Sequence, residues 1–475
     1  MKDHRSFNKH LVVFSLALAG FAVLLISIML KGLISNLFAQ ADNTLYTQFL
    51  VAQERLREKT GATYSELVLV GIDDRTLNKL GAYNPATYRR YQVDMLANVV
   101  AGHPRAVVFD ILFSDAHDDP TVDQRLADTI KQGRVFSVCS VSSQNHSGGM
   151  FNRDSYLIPT AHEANFIEEG GFQPIVPSIK GALAGVGLAN VYPDFDGVLR
   201  KIPLFVKVGN GLYPTIALEV FRQTRGYARE DVVFSNTAIR LADLKIPVDE
   251  HCRTHIYIHE ATHKIRELSF YDVRGGRIPS AFFKDKIVFV AATATGLGDM
   301  KLIPLYGYIP GVKIHANLLL GLLNGEFIYE VTGRRYYMLL FLVSLFYTYL
   351  FYTKKEVFLL RRLLGYISTV GIVTKVSNAL SKAKPLAWLY NKVKAVFSRS
   401  YGIRFFFILF KETRKRLEPL LLHFIILYVL IFLLFYFFHI FLRPSAMLMQ
   451  LLIVYIVVSE FRRIDFSELT QRAHQ

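Results

Sequence analysis

The stretch that decides the fold is residues 286–323, KIVFVAATATGLGDMKLIPLYGYIPGVKIHANLLLGLL. It opens at 287–290 with an uninterrupted run of β-branched and aromatic residues, which is typical of a strand buried on both faces. Small residues and two glycines follow, and then Asp299. After a Pro-Gly pair, residues 312–323 have the apolar spacing of a helix. A strand, a polar loop and a helix in this order are typical of the carboxyl edge of an α/β sheet.

Three further apolar runs precede this stretch. Residues 66–72 and 105–109 have strand character and end at Asp73 and Asp110, and residues 135–140 form a third run. Segments with helical spacing alternate with these runs: 88–101, 123–131 and 213–224. Because strands alternate with helices, the sequence predicts an α/β fold with a mostly parallel sheet and flanking helices.

The α/β body is expected to cover residues 43–330, a length that can bury a substantial core. Within it, the pair Asp196-Gly197 stands between apolar runs at 187–191 and 202–208. This pattern predicts a β-hairpin with a tight turn. Two more segments have the composition of strands: 232–241 and 254–259.

The 475-residue chain is 52% hydrophobic, and its 37 phenylalanines and 25 tyrosines concentrate in a few uncharged runs. A run of about 20 apolar residues can cross the hydrocarbon core of a bilayer. We therefore expect four transmembrane helices: 11–30, 336–353, 419–442 and 445–459. A cleaved signal peptide is the alternative for the first of them, although its apolar run is longer than a typical signal sequence needs.

The net charge of +16 is unevenly distributed along the chain. Residues 354–418 carry 15 lysines and arginines against three acidic residues. Such a basic amphipathic segment is typical of contact with an anionic lipid membrane or with a partner protein. The positive-inside rule then places this insert, residues 1–10 and the tail 460–475 in the cytoplasm, and the α/β body outside it. Because membrane topology accounts for the charge, we expect no nucleic-acid partner.

Three aspartates stand where predicted strands end: Asp73, Asp110 and Asp299. Ligands bind at the carboxyl ends of the strands in open α/β sheets, so these carboxylates are candidate ligand-binding groups. Converging carboxylates can hold a cation or exchange protons. The alternative, which the sequence leaves open, is that each aspartate caps the helix or turn that follows it.

Two further side chains are candidates for ligand binding. Arg200 can bind an anionic ligand through two guanidinium nitrogens, or it can form a structural ion pair with Asp194 or Asp196. His315 lies on the helix after the last strand, near the expected ligand edge. For His315 the alternative is a core or interface histidine.

Motifs for catalysis and for cofactor binding are not found in this sequence. It contains no Gly-x-Ser-x-Gly, P-loop, Cys-x-x-Cys or dinucleotide fingerprint. Cys139 lies in an apolar run that is typical of a core, and Cys252 is the only other cysteine. We therefore predict no enzymatic activity, no cofactor and no metal site.

Several motifs together resemble the type-2 CHASE domain, the extracytoplasmic sensory domain of bacterial cyclase-type and histidine-kinase-type receptors. Their order and spacing fit residues 44–328. The matching segments are VGID at 70–73, AVVFD at 106–110, YPDFDGVLRKIP at 192–203, GD at 298–299 and PGVKIHAN at 310–317. The motif residues among them are Asp194, Asp196, Gly197, Pro310, Gly311 and Asn317. Val290-Ala291-Ala292 departs from the usual Val-Gly-Ala.

The resemblance implies a sensory role, so we expect a sensor subunit at the bacterial inner membrane. The extracytoplasmic body is expected to bind a ligand there, a small molecule or a protein. Its membrane helices would then signal to a separate cytoplasmic or membrane signalling protein. Related sensory domains often act as homodimers, which we expect by analogy. A structural or docking subunit of a cell-envelope complex is the alternative, and an enzyme with a metal on the three aspartates is the least favoured hypothesis.

Overall fold

The chain divides into two compact units, Leu50–Glu330 and the combination of Met1–Phe49 with Val331–Gln475. The computed structural model describes the following residues: 29, 35–56, 66–144, 156–157, 165–235, 237–257, 265–297, 299–352, 420 and 423–461. The predictions for four segments fall outside these ranges, entirely or almost entirely: 1–10, 11–30, 354–418 and 460–475.

The unit Leu50–Glu330 contains a six-stranded sheet. Its strands are β1 (Leu67–Ile72), β2 (Ala106–Asp110), β3 (Val135–Cys139), β8 (Gly185–Leu188), β16 (Arg266–Ser269) and β17 (Ile287–Ala292). They lie in the order β16-β1-β17-β2-β3-β8, and every pairing is parallel. The prediction of an α/β fold with a mostly parallel sheet is therefore confirmed.

Both faces of this sheet are covered. Leu67 and Leu69 of β1 lie in one hydrophobic core and Val68 and Val70 in a second, because successive strand side chains point to opposite faces. The second core includes residues of α3 (Arg89–Val100), α4 (Pro120–Ile130), α5 (Pro177–Ala182) and α7 (Phe270–Arg274). The first includes residues of α6 (Ile216–Thr224) and α8 (Gly311–Asn324). Burial on both faces explains why the central strands are continuous apolar runs.

The remaining elements of this unit are short. The helical ones are α2 (Asp74–Leu80) and a 3-10 helix at Ser280–Phe283. The strands are β4 (Val141–Ser142), β5 (Tyr156–Leu157), β6 (Glu168–Glu169), β7 (Gly171–Phe172), β9 (Lys201–Pro203), β10 (Phe205–Val208), β11 (Gly211–Pro214), β12 (Val232–Ser235), β13 (Ala238–Leu241), β14 (Leu244–Pro247), β15 (Arg253–His255), β18 (Met300–Ile303), β19 (Gly307–Pro310) and β20 (Tyr329–Glu330).

The predicted hairpin around Asp196-Gly197 is wrong, although its turn forms. The Gly197 N–H donates to the Asp194 carbonyl oxygen at 2.8 Å, and Gly197 has a φ of 77°. The flanking strands do not pair with each other, since β8 joins the central sheet beside β3 and β9 pairs with β15. Gly187 lets β8 pack closely against the start of α6, because a Cβ at position 187 would lie 2.6 Å from the backbone nitrogen of Ile216.

Two boundaries also differ from the prediction. The single strand expected at 232–241 is a hairpin of β12 and β13. Helix α4 begins at Pro120, three residues earlier than expected, because the Asp119 side chain accepts a hydrogen bond from Thr121 N and caps the helix. Cys139 is buried in β3, as predicted for a core residue.

The second unit is mostly helical. Its elements are α1 (Ser35–Leu56, which extends into the first unit), α9 (Gly333–Tyr352), α10 (residues 423–438), α11 (Pro444–Phe461) and β21 (Ile440–Phe441).

The prediction of four transmembrane helices is wrong. Among the residues that the structure describes, no helix is both long enough and apolar enough to cross a membrane. Helix α9 begins with two arginines and is rich in tyrosine. The described part of helix α10 is about 24 Å long at 1.5 Å per residue, and β21 interrupts the span expected at 419–442. The prediction counted uncharged residues as apolar, whereas tyrosine, serine, threonine and glutamine are uncharged but polar.

Candidate functional site

Asp110 is the last residue of β2 and lies at the carboxyl edge of the sheet. Ala106 and Val108 of the same strand belong to the core that contains Ile314 and Ala316 of α8. Because strand residues two apart share a face, Asp110 lies on the side of the sheet that α8 covers. Its carboxylate is half-buried, and no hydrogen bond reaches it from the described residues.

The hairpin of β18 and β19 leads into the N-terminus of α8. The Gly311 N–H donates to the Asp299 carbonyl oxygen at 2.8 Å, and a Cβ at position 311 would lie 3.3 Å from Asp299 Oδ2. Glycine after Pro310 therefore lets the Asp299 loop fold closely onto the start of the helix. The exposed Asp299 carboxylate forms a 2.7 Å ion pair with Lys301 Nζ.

His315 lies in the second turn of α8, and its side chain is only 2% exposed. The Nδ1 atom of its ring is buried without a hydrogen-bond partner.

These residues influence one another electrostatically. Burial raises the pKa of Asp110, His315 and Lys301 oppose that shift, and Asp299 adds to it. Burial lowers the pKa of His315, although Asp110 opposes this. Burial and then Asp110 raise the pKa of Tyr83. The pKa shifts thus relate three predicted site residues, Asp110, Asp299 and His315, to Lys301 and Tyr83, for which no sequence pattern is a signal.

Asp73 has a different environment. It is the N-cap of α2, and its Oδ1 accepts hydrogen bonds from Thr76 N at 2.9 Å and from Thr76 Oγ1 at 2.6 Å. Ser269 Oγ donates to the same oxygen at 2.9 Å. Because β17 separates β1 from β2, the ends of those strands are about 10 Å apart. The structure thus places Asp73 in the capping role that the sequence left as the alternative.

Arg200 forms the structural ion pairs. Its Nη1 lies 3.0 Å from Asp194 Oδ2 and 2.9 Å from Asp196 Oδ1, and its Nη2 lies 2.8 Å from Asp196 Oδ2. The hydrogen bonds from Arg200 lower the pKa of Asp196, although burial opposes the shift. The Asp-x-Asp-Gly-x-x-Arg motif is therefore a closed turn in which both terminal nitrogens of the guanidinium are paired, whereas Nε is buried without a partner.

A second charged network, which was not predicted from the sequence, lies beside this turn. Lys201 Nζ is 2.6 Å from Glu330 Oε2 and 3.2 Å from Asp249 Oδ2. His255 Nε2 is 3.2 Å from the same oxygen of Glu330. Burial and then Lys201 lower the pKa of His255. These contacts connect β9 and β15 to the last residue of the Leu50–Glu330 unit, and an Arg-Lys pair at 200–201 is the only sequence signal that points to them.

Neither a cluster of metal ligands nor a cavity among the described residues indicates a different site for the predicted residues. In the ranges that the structure describes, no three His, Cys, Asp or Glu side chains converge as metal ligands. A groove of about 600 Å³ is lined by Ser114, Ala116, Lys180 and the mostly apolar residues 174–177, and by no predicted site residue. Asn317, the last motif residue, is buried in α8. We place the candidate site at Asp110 and His315, because both lie at the carboxyl edge of the sheet, where ligands bind in α/β folds, and His315 Nδ1 is one of the buried polar atoms without a partner.

The chain thus contains an α/β domain with a six-stranded parallel sheet and a small polar cluster at the carboxyl edge of that sheet. The CHASE2 domain family matches residues 20–350, which is more than half of the chain, so the chain belongs to the CHASE2 family. CHASE2 domains are extracytoplasmic sensory domains, and the resemblance found in the sequence is confirmed. No curated protein and no solved structure matches the chain.

Proposed function

We propose that the chain is a sensor that binds a small molecule at the cluster of Asp110, Asp299, Lys301 and His315. The observation that carries the proposal is the buried Nδ1 atom of His315, which has no hydrogen-bond partner, together with the Asp110 carboxylate at the carboxyl edge of the sheet. A buried polar group without a partner costs about 1–3 kcal/mol. Such groups are rare in folded proteins and are expected where a ligand supplies the missing hydrogen bond. Membership of a sensory family supports the same function.

The proposal is tested by the thermal stability of the full chain in the presence of small-molecule panels. The panels are grouped by chemistry into amines, carboxylates, sugars and phosphate esters. A ligand that binds only the folded state raises Tm by mass action. We expect at least one class to raise the Tm of the wild-type chain and to fail with Asp110→Asn.

Asp73→Asn is the matched control, because it makes the same chemical change at the same edge of the sheet. Asparagine is as good an N-cap as aspartate, so this variant keeps the local structure. It is expected to respond like the wild type. The proposal fails if no class raises Tm, or if Asp110→Asn responds as strongly as Asp73→Asn.

The proposal also covers location and output. The chain would be held at the bacterial inner membrane with its sensory body outside the cytoplasm, and it would signal to a separate protein without enzymatic activity of its own. The extracytoplasmic character of the family supports the location. The basic composition of residues 354–418, which lie outside the described ranges, supports a cytoplasmic partner or lipid contact.

Fractionation and co-purification test these two points. The chain is expected to sediment with the membrane fraction at low ionic strength, and recovery in the supernatant would contradict the location. A kinase, cyclase or other regulator is expected to co-purify with the wild type and to be lost when residues 354–418 are deleted. A regulator that stays bound to the deletion variant would contradict a role for this segment.

A docking subunit of an envelope complex is the second candidate, and one observation favours it. Phe195 in the turn at 194–197 and Tyr308 on β19 are 60% and 67% exposed. The chain after this turn is joined to the β18–β19 hairpin by the Leu199 N–H, which donates to the Leu302 carbonyl oxygen at 2.7 Å. Exposed aromatic side chains are common at protein interfaces. A docking subunit should tolerate Asp110→Asn and lose its partner in a Phe195→Ser, Tyr308→Ser variant, and a sensor should do the reverse.

A further inference from the structure

We propose that two copies of the chain associate through strand β19, whose outer edges pair antiparallel about a two-fold axis at Tyr308. The inference goes beyond the proposed function and uses neither Asp110 nor His315. It rests on two features of the β18–β19 hairpin, an open strand edge and an apolar outer face. Phe195 and Tyr308 belong to this surface, so a dimer accounts for their exposure without a separate docking partner.

The hydrogen-bond pattern of the hairpin shows which backbone groups point away from it. Opposite residues of an antiparallel pair alternate between exchanging hydrogen bonds with each other and directing their N–H and C=O groups outward. The Gly311 N–H donates to the Asp299 carbonyl oxygen at 2.8 Å, so this pair is of the first kind. Leu302 and Tyr308, which are opposite each other three positions along the hairpin, are therefore of the second kind. The Leu302 carbonyl oxygen agrees, because it accepts from the Leu199 N–H outside the hairpin.

The outer edge of β19 is therefore open at Tyr308. The N–H and C=O groups of Tyr308 face away from β18, and no strand among the described residues pairs with that side of β19. An open edge is a template for pairing with another chain. One N–H and one C=O on the same residue match the same residue of an antiparallel copy, because each copy donates to the other.

The backbone pairing is short. The next outward position is Pro310, which has no N–H. Tyr306, which would be opposite Pro310 of the second copy, already donates its N–H to the Pro304 carbonyl oxygen at 2.9 Å. The backbone thus fixes the register with two hydrogen bonds at Tyr308, and burial of side chains has to supply most of the affinity.

The outer face of the hairpin is apolar. Side chains alternate between the two faces of a strand, and directly opposite residues share a face. Ile303 is buried in the core and Ile309 packs against the same core. Met300, Leu302 and Tyr308 therefore lie on the opposite face, and none of them is charged.

The exposed apolar area matches the needs of a dimer. Five of the seven large apolar side chains that are exposed in the described part of the Leu50–Glu330 unit belong to this surface: Phe195, Leu297, Met300, Leu305 and Tyr308. They are between 37% and 67% exposed, and at about 150–250 Å² per fully exposed side chain they present roughly 400–600 Å² to solvent. Interfaces are about 56–65% apolar, so this area corresponds to roughly 600–1,000 Å² of interface per partner. A specific interface buries about 800 Å² per partner.

Charge does not oppose the contact of this surface with a copy of itself. A two-fold axis brings a surface patch against the same patch, so an unpaired charge near the axis would meet a like charge. The acidic side chains of this surface are in ion pairs. Arg200 binds Asp194 and Asp196, and Lys301 lies 2.7 Å from Asp299. An apolar surface with paired charges favours a copy of itself over a charged partner.

Disulfide cross-linking of the full chain tests the position of the axis. In a hydrogen-bonded antiparallel pair the two Cα atoms are about 5.5 Å apart, which is within the range of about 4.4–6.8 Å that a disulfide spans. Tyr308→Cys is therefore expected to form a reducible species of twice the chain mass under mild oxidation. Both natural cysteines are buried, so the wild type gives the background. Val233→Cys is the matched control, because Val233 is 55% exposed on β12, and this variant is expected to stay at the mass of one chain.

Sedimentation velocity measures the association without a cross-link. The wild-type chain is expected to sediment as a dimer. Tyr308→Lys places two like charges opposite each other at the axis, and it is expected to weaken the dimer at least about tenfold, a factor that corresponds to 1.4 kcal/mol. Val233→Lys adds the same charge to a different exposed strand and should dimerise like the wild type.

The outcomes separate this inference from the proposed function. A monomeric wild type overturns the inference, and so does a Tyr308→Lys variant that remains dimeric or a Tyr308→Cys variant that does not cross-link. If the wild type is monomeric and holds another protein that Tyr308→Lys releases, the edge binds a different partner and self-association is wrong. Asp110→Asn should dimerise like the wild type. Loss of small-molecule binding alone therefore leaves the inference standing, and loss of the dimer alone leaves the proposed function standing.

Discussion

Replacement of Asp123 by asparagine is expected to destabilise the Leu50–Glu330 unit strongly. Asp123 in α4 accepts a 2.7 Å hydrogen bond from Arg89 Nη1, and the two side chains are 5% and 0% exposed. Its other oxygen accepts from the His117 N–H at 3.0 Å. The Nη2 of Arg89 also donates to the Asp115 carbonyl oxygen. This ion pair therefore fixes the loop that comes after Asp110 at the end of β2.

The magnitude is set by the burial of the pair. Removal of one partner from a buried ion pair leaves an uncompensated charge and costs about 3–5 kcal/mol. Asparagine retains the volume and one acceptor oxygen but not the charge, so the Arg89 guanidinium would remain buried without a counter-ion. A loss of this size is a large part of the roughly 5–15 kcal/mol by which natural domains are stable.

The assay is urea denaturation of the full chain, monitored by far-UV circular dichroism. Asp128→Asn is the matched control in the same helix, because Asp128 pairs at 3.1 Å with Lys131 and both side chains are 57% exposed. Exposed pairs of this kind contribute about 0–1 kcal/mol. A free energy of unfolding for Asp123→Asn that equals that of Asp128→Asn would refute the reasoning about the buried pair.

Three further predictions concern stability. Because burial raises the pKa of Asp110, ionisation of Asp110 destabilises the folded state. The Asp110→Asn variant should therefore have a higher free energy of unfolding than the wild type near neutral pH. This difference should vanish below about pH 4, where aspartate is protonated in the unfolded chain as well. Gly187→Ala would put a Cβ 2.6 Å from Ile216 N and should cost about 1–3 kcal/mol in urea titrations, whereas Gly181→Ala, in α5 with open space around it, should cost nothing. Arg200→Lys should lower Tm measurably, because lysine cannot reproduce the bidentate contacts, and an unchanged Tm would contradict the closed turn.

The central strands were predictable because strands that are buried on both faces consist of continuous apolar residues. Residues 67–72 and 287–290 are continuous apolar runs, and such runs form strands when both faces of a parallel sheet are covered. Strand β16 was not predictable in this way. It lies at the edge of the sheet, its residues Arg266–Ser269 are polar, and only its pairing with β1 makes it a strand.

The candidate site was predictable only in part. Asp73 and Asp110 look alike in the sequence, since each comes directly after an apolar run. They differ in the element on their C-terminal side, because Asp73 precedes a helix with Thr76 three residues on, which is a capping pattern. Asp110 precedes no helix, so its carboxylate is left for other contacts. Lys301 carries no local signal, since only the β18–β19 hairpin brings it to Asp299.

The unsuccessful prediction of membrane helices has a physical cause as well. The hairpin at 187–208 and the spans after residue 335 were both inferred from local pattern alone. The hairpin does not form, because β8 pairs with β3 in the central sheet. Whether the later helices can span a membrane depends on their mean hydropathy. Uncharged polar side chains lower that hydropathy, and the buried Ser344, Thr348 and Gln450 are examples.

The most direct test of the sensor account is native mass spectrometry of the chain purified gently from its own cells, without dialysis. The wild type and Asp73→Asn are expected to carry the same small-molecule adduct, and Asp110→Asn is expected to lack it. If no chain carries an adduct, or if Asp110→Asn keeps it, the cluster of Asp110 and His315 is not the binding site.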